Sequence, residues 1–403
     1  MFNYSFPQIE TIDDVLPHIK DREEFLVINK GWYTVINYAV NLEDTFPEVK
    51  CSGGSAKMRA ERTLQYAIRR ECRGLIFDAN GKLISRPYHK FFNVGEKLET
   101  QTNKINLYEP HVVLEKLDGS MIRPIPYGDG FLLGTKAGVT EISEQAEKFI
   151  SDKWIPTNER HKPYHTFIMK CIQKGTTPIF EWCSRKNRIV LDYPEDQLIL
   201  TAIRYNYNGS YVNYKTMVSY ATAWNIPVVK AVDGLAIQNI HLFVDQIREW
   251  EDSEGIVLRF ENGHMVKIKA NQYVLRHKSK EAINQEKNVI ATIVNDDVDD
   301  LIPLLTEEDV DRLKKFQTAF WASLEDVGTD IYDLYKQFER GQSQKEFAIL
   351  VNSHIPKTHQ SFMFSLRNGV PIKNLLVEKI KTSINTQTKV NENRWMWGNL
   401  KWN

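Results

Sequence analysis

Cysteine is scarce: Cys51, Cys72, Cys171 and Cys183 are four in 403 residues, and no two form a Cys-x-x-Cys pair. That spacing argues against a disulfide framework and a cysteine zinc site, and it fits a reducing cytoplasm. Net charge is lacking too. Lys+Arg and Asp+Glu both total 52, so no global positive field gathers nucleic acid, and any RNA or DNA contact must come from local basic patches. No apolar run approaches the ~18–20 residues of a membrane helix. The N-terminus shows no basic stretch leading into an apolar core, so neither a membrane nor an export route is expected. What is present is ordinary for a folded chain, and its length suffices for two domains with separate cores.

The texture changes near residue 275. Before it, short β-prone runs alternate with helical stretches; after it, helical periodicity dominates near 281–294, 306–324, 328–340, 343–353 and 372–384. We expect an α+β domain over 1–275, built on antiparallel sheets with flanking helices, and an all-α domain over 276–403. Within the first, 25–29 and 33–40 read as strands, and 56–70 as a helix dense in cations. Cys72 to Asp78 reads as a strand closed by the Asn80-Gly81 turn, and 141–154 as a helix. The last hairpin turns at Glu261-Asn262-Gly263. The tryptophan-rich segment 393–402 is expected to pack its indoles on the helical domain rather than to stack on RNA bases.

The most informative stretch is Leu114-Glu115-Lys116-Leu117-Asp118-Gly119-Ser120-Met121. It reads as strand, tight turn, strand, with the lysine at the rim of a pocket. An amine partly stripped of water is a usable nucleophile. Taken alone, the same letters also describe a hairpin with a solvated lysine. Three downstream motifs, arriving in order, tip the balance: Phe180-Glu181-Trp182, then Ser253-Glu254-Gly255-Ile256-Val257, then Val266-Lys267-Ile268-Lys269. Lys267 and Lys269 share one strand face. Pointing inward, they would grip a phosphate and favour the free amine of Lys116 by repulsion. Glu254 opens a strand where a carboxylate can reach a Mg²⁺ shell. Glu181, between two aromatic residues, is costly to bury unless a ligand hydroxyl or a cation meets it. Arg73, inside an otherwise apolar strand, calls for an anion. Lys90 lies in the aromatic loop 86–93, where a surface position is the default.

This order of motifs resembles the covalent nucleotidyltransferases, the ATP-dependent ligases and mRNA capping enzymes. Glu71-Cys72-Arg73-Gly74-Leu75-Ile76-Phe77, Ser85-Arg86-Pro87-Tyr88-His89-Lys90-Phe91-Phe92-Asn93, Asn187-Arg188-Ile189-Val190-Leu191 and Lys267-Ile268-Lys269 with Tyr273 narrow the resemblance. They are similar to the phage RNA ligase 1 family, the tRNA-repair type, over residues 20–300. The resemblance implies that Lys116 takes AMP from ATP, passes it to an RNA 5′-phosphate, and that a 3′-OH then displaces it. It implies ATP contacts by Arg73, Lys90, Lys136, Glu181, Lys267 and Lys269, and a Mg²⁺ or Mn²⁺ served by Glu254 and Asp299. Asp118 and Gly119 complete the nucleophile motif, and Tyr273 serves ligation. The implied partner is RNA with 5′-phosphate and 3′-OH ends, such as a cleaved tRNA, handled by a monomer in the cytoplasm, the host's if phage-encoded. The helical domain is the place for an RNA-specificity module. Leu117 departs from relatives that carry an acidic residue there, and Ile36 stands where relatives carry a nucleotide-contacting tyrosine. The alternatives are a DNA ligase or capping enzyme, against which the helical C-terminal third speaks, and a non-catalytic RNA-binding module on the same fold.

Overall fold

The β-branched and aromatic runs of the first 270 residues become twelve strands in a computed structural model, which describes residues 6–40, 42, 44–49, 53–152, 163–186, 188–235 and 239–402. Two compact units divide the chain, Met1–Val274 and Leu275–Asn403. The first contains three four-stranded sheets. One joins β1 (Phe25–Asn29), β2 (Tyr33–Tyr38), β3 (Leu75–Asp78) and β4 (Leu83–Ser85) in sequence order. The others draw on β5 (Phe92–Asn93), β6 (His111–Glu115), β7 (Ser120–Tyr127), β8 (Gly130–Gly134), β9 (Thr176–Cys183), β10 (Gln197–Tyr205), β11 (Gly255–Phe260) and β12 (Met265–Lys269). Their orders are β10-β9-β7-β8 and β5-β12-β11-β6. Pairing is antiparallel as expected, except where the two-residue β5 runs parallel to β12. The aromatic loop 86–93 therefore ends as a sheet edge.

The turn carrying Lys116 is not a hairpin. β6 pairs with β11, and β7 pairs with β8 and β9, so Lys116–Gly119 carries the chain from one sheet to the next. An Asp-Gly signal is local, whereas the partner of each strand is chosen by burial: Val113 joins the core of Ile256, Leu258 and Val266, while Ile122 joins that of Phe180 and Leu198. Arg73 likewise precedes its strand, which starts at Leu75.

Helices cover the outer faces. Ala56–Glu71 lays Ile68 on the first sheet, Pro163–Gln173 lays Phe167 and Ile168 on the second, and Ile240–Arg248 lays Phe243, Val244 and Ile247 on the third. The helix expected over 141–154 is described as Glu141–Asp152; positions 153 and 154 lie outside the described residues, as does Asn187. In the second unit the stretches 306–324 and 328–340 form one helix, Glu307–Phe338, continuous through the buried Gly328. Helices Lys357–Arg367 and Gln387–Asn393 went unread in the sequence. The terminal tryptophans pack as expected: Trp397 is fully buried, and Trp402 Nε1 donates to the Ile283 carbonyl at 2.6 Å.

One polar network lies inside the first unit. Glu71, at the end of its helix, accepts from Arg86 Nε at 3.0 Å and from Arg204 Nη2 at 2.8 Å, all three side chains being wholly buried. The remaining guanidinium donors reach the carbonyls of Pro7, Pro87, Asn206 and Gly209. Burial alone would raise the Glu71 carboxyl, but the two guanidiniums outweigh it and hold it below its ordinary value. Removing the carboxylate leaves two buried cations uncompensated. We expect Glu71→Gln to destabilise the first unit by about 3–5 kcal/mol in urea titration; a loss no larger than that of an exposed pair, about 1 kcal/mol or less, would contradict this.

Candidate active site

Alternation along β11 and β12 builds the floor of a pocket. Ile256, Leu258, Phe260, Val266 and Ile268 face the core beneath, so Gly255, Val257 and Arg259 and, beside them, Met265, Lys267 and Lys269 face the other way. Val257, Arg259, Met265, Lys267 and Lys269 line a cavity of about 280 Å³ together with Lys116, Arg73, Lys90, Tyr88 and Glu181. Arg259 lies four residues on from Gly255, a span of roughly 13 Å along the strand. Lysines crowd one end and Arg259 stands at the other.

Lys116 is anchored twice. Its backbone N–H donates to the Gly255 carbonyl at 2.9 Å, and its Nζ lies 2.7 Å from Glu254 Oε2. The other oxygen of Glu254 takes Lys269 Nζ at 2.9 Å. The carboxylate is 4 % exposed and the two amines 21 % and 30 %. Gly255 has φ +122°, and a Cβ there would lie 2.0 Å from the Ile268 carbonyl oxygen, so no other residue fits between the Lys116 segment and β12. Gly119 is fixed by contact instead: a Cβ would meet the Trp182 carbonyl oxygen at 2.5 Å.

Asp118 does not act as a simple turn residue. Its Oδ2 accepts the N–H groups of Val190 (2.8 Å) and Leu191 (2.7 Å), its Oδ1 accepts the Tyr273 hydroxyl (2.7 Å), and its own N–H donates to the Tyr193 hydroxyl oxygen (2.9 Å). The Arg188-Ile189-Val190-Leu191 motif and Tyr273 thereby meet at the residue two after Lys116. Leu117 is buried in the core of the second sheet, which suits an apolar residue there.

The other cations rest on aromatic rings. Lys90 Nζ lies 5.1, 5.5 and 5.4 Å from the ring centres of Tyr38, Phe46 and Phe92, so it is caged rather than a plain surface lysine. Lys136 shares the Tyr38 ring at 5.2 Å, Lys267 sits over Phe91 at 5.5 Å and Lys269 over Tyr273 at 5.1 Å. A ring face offsets part of the dehydration of an ammonium without neutralising it. Burial, with Lys116, Lys90 and Arg73 adding repulsion, pulls Lys267 down to about 7. Burial pushes Glu181 up to about 7 against the opposing pull of Lys116. Burial would raise Tyr38, yet Lys90, Arg73 and Lys136 together bring it below its ordinary value.

Of the residues expected at the site, Lys116, Gly119, Arg73, Lys90, Glu181, Lys267 and Lys269 line one cavity, with Glu254, Asp118, Tyr273 and Lys136 in contact with its walls. Asp299 belongs to the second unit, exposed on the short helix Val298–Leu301. Among the described residues no group of three or more His, Cys, Asp or Glu side chains converges on a metal position. The carboxylates of the pocket, Glu181 and Glu254, fit a Mg²⁺ that brings most of its ligands as phosphate oxygens and water. Tyr38, Tyr88, Thr201 and Arg259 were missed. Arg259 was within reach, since the two-residue period from Gly255 through Val257 ends on it. Ile36 is fully buried in the core, and the ring that meets the pocket is two residues on, at Tyr38.

Comparison with known proteins identifies the family of the chain. Residues 71–283 match the family described as RNA ligase, and residues 280–393 match the C-terminal domain of T4 RNA ligase 1. The chain belongs to the RNA ligase family, as its motifs implied. A "Putative RNA ligase" of Thermovibrio ammonificans is 27 % identical over 355 residues, covering 83 % of this chain and 84 % of that one. An RNA ligase of Rhodothermus phage RM378 is 24 % identical over 386 residues, covering 78 % and 86 %. Among solved structures, an archaeal ATP-dependent RNA ligase aligns with a TM-score of 0.42 at 13 % identity, covering 66 % of this chain and 64 % of that one.

Two half-buried groups set a pH dependence. Lys267 titrates near 7 in the folded chain against an ordinary 10.5, so between those values the unfolded state binds more protons and stability rises with pH. Glu181 titrates near 7 against 4.5, so between 4.5 and 7 the folded state binds more protons and stability falls as pH rises. Their joint contribution is least favourable near pH 7. We expect Lys267→Met to be more stable than the parent at pH 7, by on the order of 3 kcal/mol, with the gain shrinking toward pH 10 in denaturant titrations. An equal gain at both pH values would refute a dehydrated lysine.

Proposed function

We propose that this RNA ligase is ATP-dependent and works through AMP held covalently on Lys116. The observation that carries this reading is the placement of Lys116, paired to the buried Glu254, among the cations Lys90, Lys136 and Lys267, which rest on aromatic rings. In the first step Lys116 Nζ attacks the α-phosphorus of ATP, the N–P bond forms, and the bond to the bridging oxygen breaks to release pyrophosphate. Glu254 Oε2, at 2.7 Å, is the nearest acceptor for the amine proton. Lys90, Lys136, Lys267, Lys269 and Arg73 hold the phosphates and offset their charge, which is the larger part of catalysing phosphoryl transfer. A Mg²⁺ or Mn²⁺ bound with the nucleotide through Glu254 or Glu181 supplies further charge neutralisation. An RNA 5′-phosphate oxygen then attacks the lysyl-AMP phosphorus and frees the amine. In the last step a 3′-OH attacks the activated 5′-phosphate, and AMP leaves.

The spacing of the floor suits this orientation. With the α-phosphate at Lys116, the base lies over Val257 and its far edge approaches Arg259, whose Nη1 has no hydrogen-bond partner among the described residues. For substrate we assign RNA with 5′-phosphate and 3′-OH ends, a cleaved tRNA in particular. The first unit is the adenylyltransferase and the helical unit the RNA-specificity module. The polarity of the chain supports that role, for residues 340–403 carry ten Lys or Arg against three Asp or Glu. We place the protein in the cytoplasm as a monomer; Cys72, Cys171 and Cys183 are buried free thiols, and no helix among the described residues is long and apolar enough to cross a membrane.

Incubation with ATP and Mg²⁺ followed by intact-mass measurement is expected to show one AMP adduct, absent in Lys116→Ala. The parent should circularise a 5′-phosphorylated oligoribonucleotide, and should neither accept GTP nor seal a nicked DNA duplex comparably. No adduct from the parent would leave only a binding module.

A further inference from the structure

Arg123 is the buried ionic group that neither the motifs nor the pocket explain. It lies on β7, is wholly buried, and makes no ion pair among the described residues. Its Nη2 donates to the Gly74 carbonyl at 2.8 Å, while its Nε and Nη1 have no hydrogen-bond partner among the described residues. Tyr33 is the titratable group that faces it, and burial brings it down to about 9. A buried guanidinium with one bond of five is unfavourable for folding, and an apolar side chain of similar length would be better tolerated.

Its position suggests what offsets that cost. Gly74 directly follows Arg73, and a Cβ on Gly74 would meet Lys136 Cα and its carbonyl oxygen at 2.8 Å, so the backbones bearing the two cations touch there. On the other side, Arg123 pairs in register with Gly134, where the turn bearing Lys136 begins, and a Cβ on Gly134 would lie 2.7 Å from Arg123 Nη1. The guanidinium is thus wedged between the roots of Arg73 and Lys136, whose side chains converge on Tyr38.

We propose that Arg123 is a positioning residue for the polyphosphate end of the nucleotide: it fixes the Gly74 carbonyl so that Arg73 and Lys136 project together, and it adds unneutralised positive charge behind them. This rests on the nucleotide reading of the pocket. Its signature is a trade of stability for phosphate affinity that a purely structural arginine would not show.

Calorimetric titration of the full chain with ATP, inorganic pyrophosphate and adenosine tests it, alongside denaturant unfolding. Arg123→Met is expected to be as stable as the parent or more so, yet to bind ATP and pyrophosphate about tenfold more weakly with adenosine unchanged. Arg123→Lys, which keeps the charge but not the fork, should fall between. Unchanged pyrophosphate affinity in Arg123→Met overturns the proposal, as does an equal loss for adenosine. If Arg123→Met does not fold, Arg123→Lys with parental ATP and pyrophosphate affinities overturns it as well. A parent that binds no ATP is a distinct result, which removes the nucleotide reading and this proposal with it.

Discussion

A single carboxylate holds the site in register. Glu254 accepts one amine from the segment that leaves β6 and another from β12, and the glycine after it accepts the Lys116 backbone N–H. Without that carboxylate, two ammonium groups from either side of β11 would repel across the mouth of the pocket. With it, they are drawn to a common point, and the charge that attracts a phosphate is stored in a neutralised form until a stronger anion competes. Glu254 is 4 % exposed, so the competition takes place where electrostatic interactions are little weakened by water.

Aromatic residues do the complementary work. A lysine brought into a cavity usually finds a carboxylate, and its charge is then spent on the protein. Here Tyr38, Phe46, Phe91 and Phe92 take that place for Lys90, Lys136 and Lys267. Their ring faces stabilise a cation modestly and leave it able to bind an incoming anion. This explains why an aromatic run adjoins Lys90 in the sequence, and why Lys267 is nevertheless held near 7, since burial and the neighbouring cations outweigh the pull of Glu96.

Much of the site was legible because its chemistry is local. Lys267 and Lys269 share a face by strand geometry alone, and Glu254-Gly255 announces both a carboxylate and a backbone only glycine can adopt. What was hidden depends on partners distant in sequence. The Lys116 segment reads as a hairpin until the strands on either side are seen to choose different sheets. Asp118 reads as a turn former, though its oxygens are taken up from positions 190, 191 and 273. The periodic stretches 306–324 and 328–340 read as two helices, yet they are one long helix with Gly328 buried inside it, because tertiary packing overrides a weak local preference.

The short crossover between sheets has a mechanical corollary. Lys116 through Gly119 are the whole of the chain between Glu115 in one sheet and Ser120 in another, and Asp118 is pinned on three sides. There is no slack in that bridge. Prising the two layers apart to admit or discharge a nucleotide would drag Lys116 with it, so traffic through the cavity must rely on the long lysine side chains swinging aside while the backbone stays put.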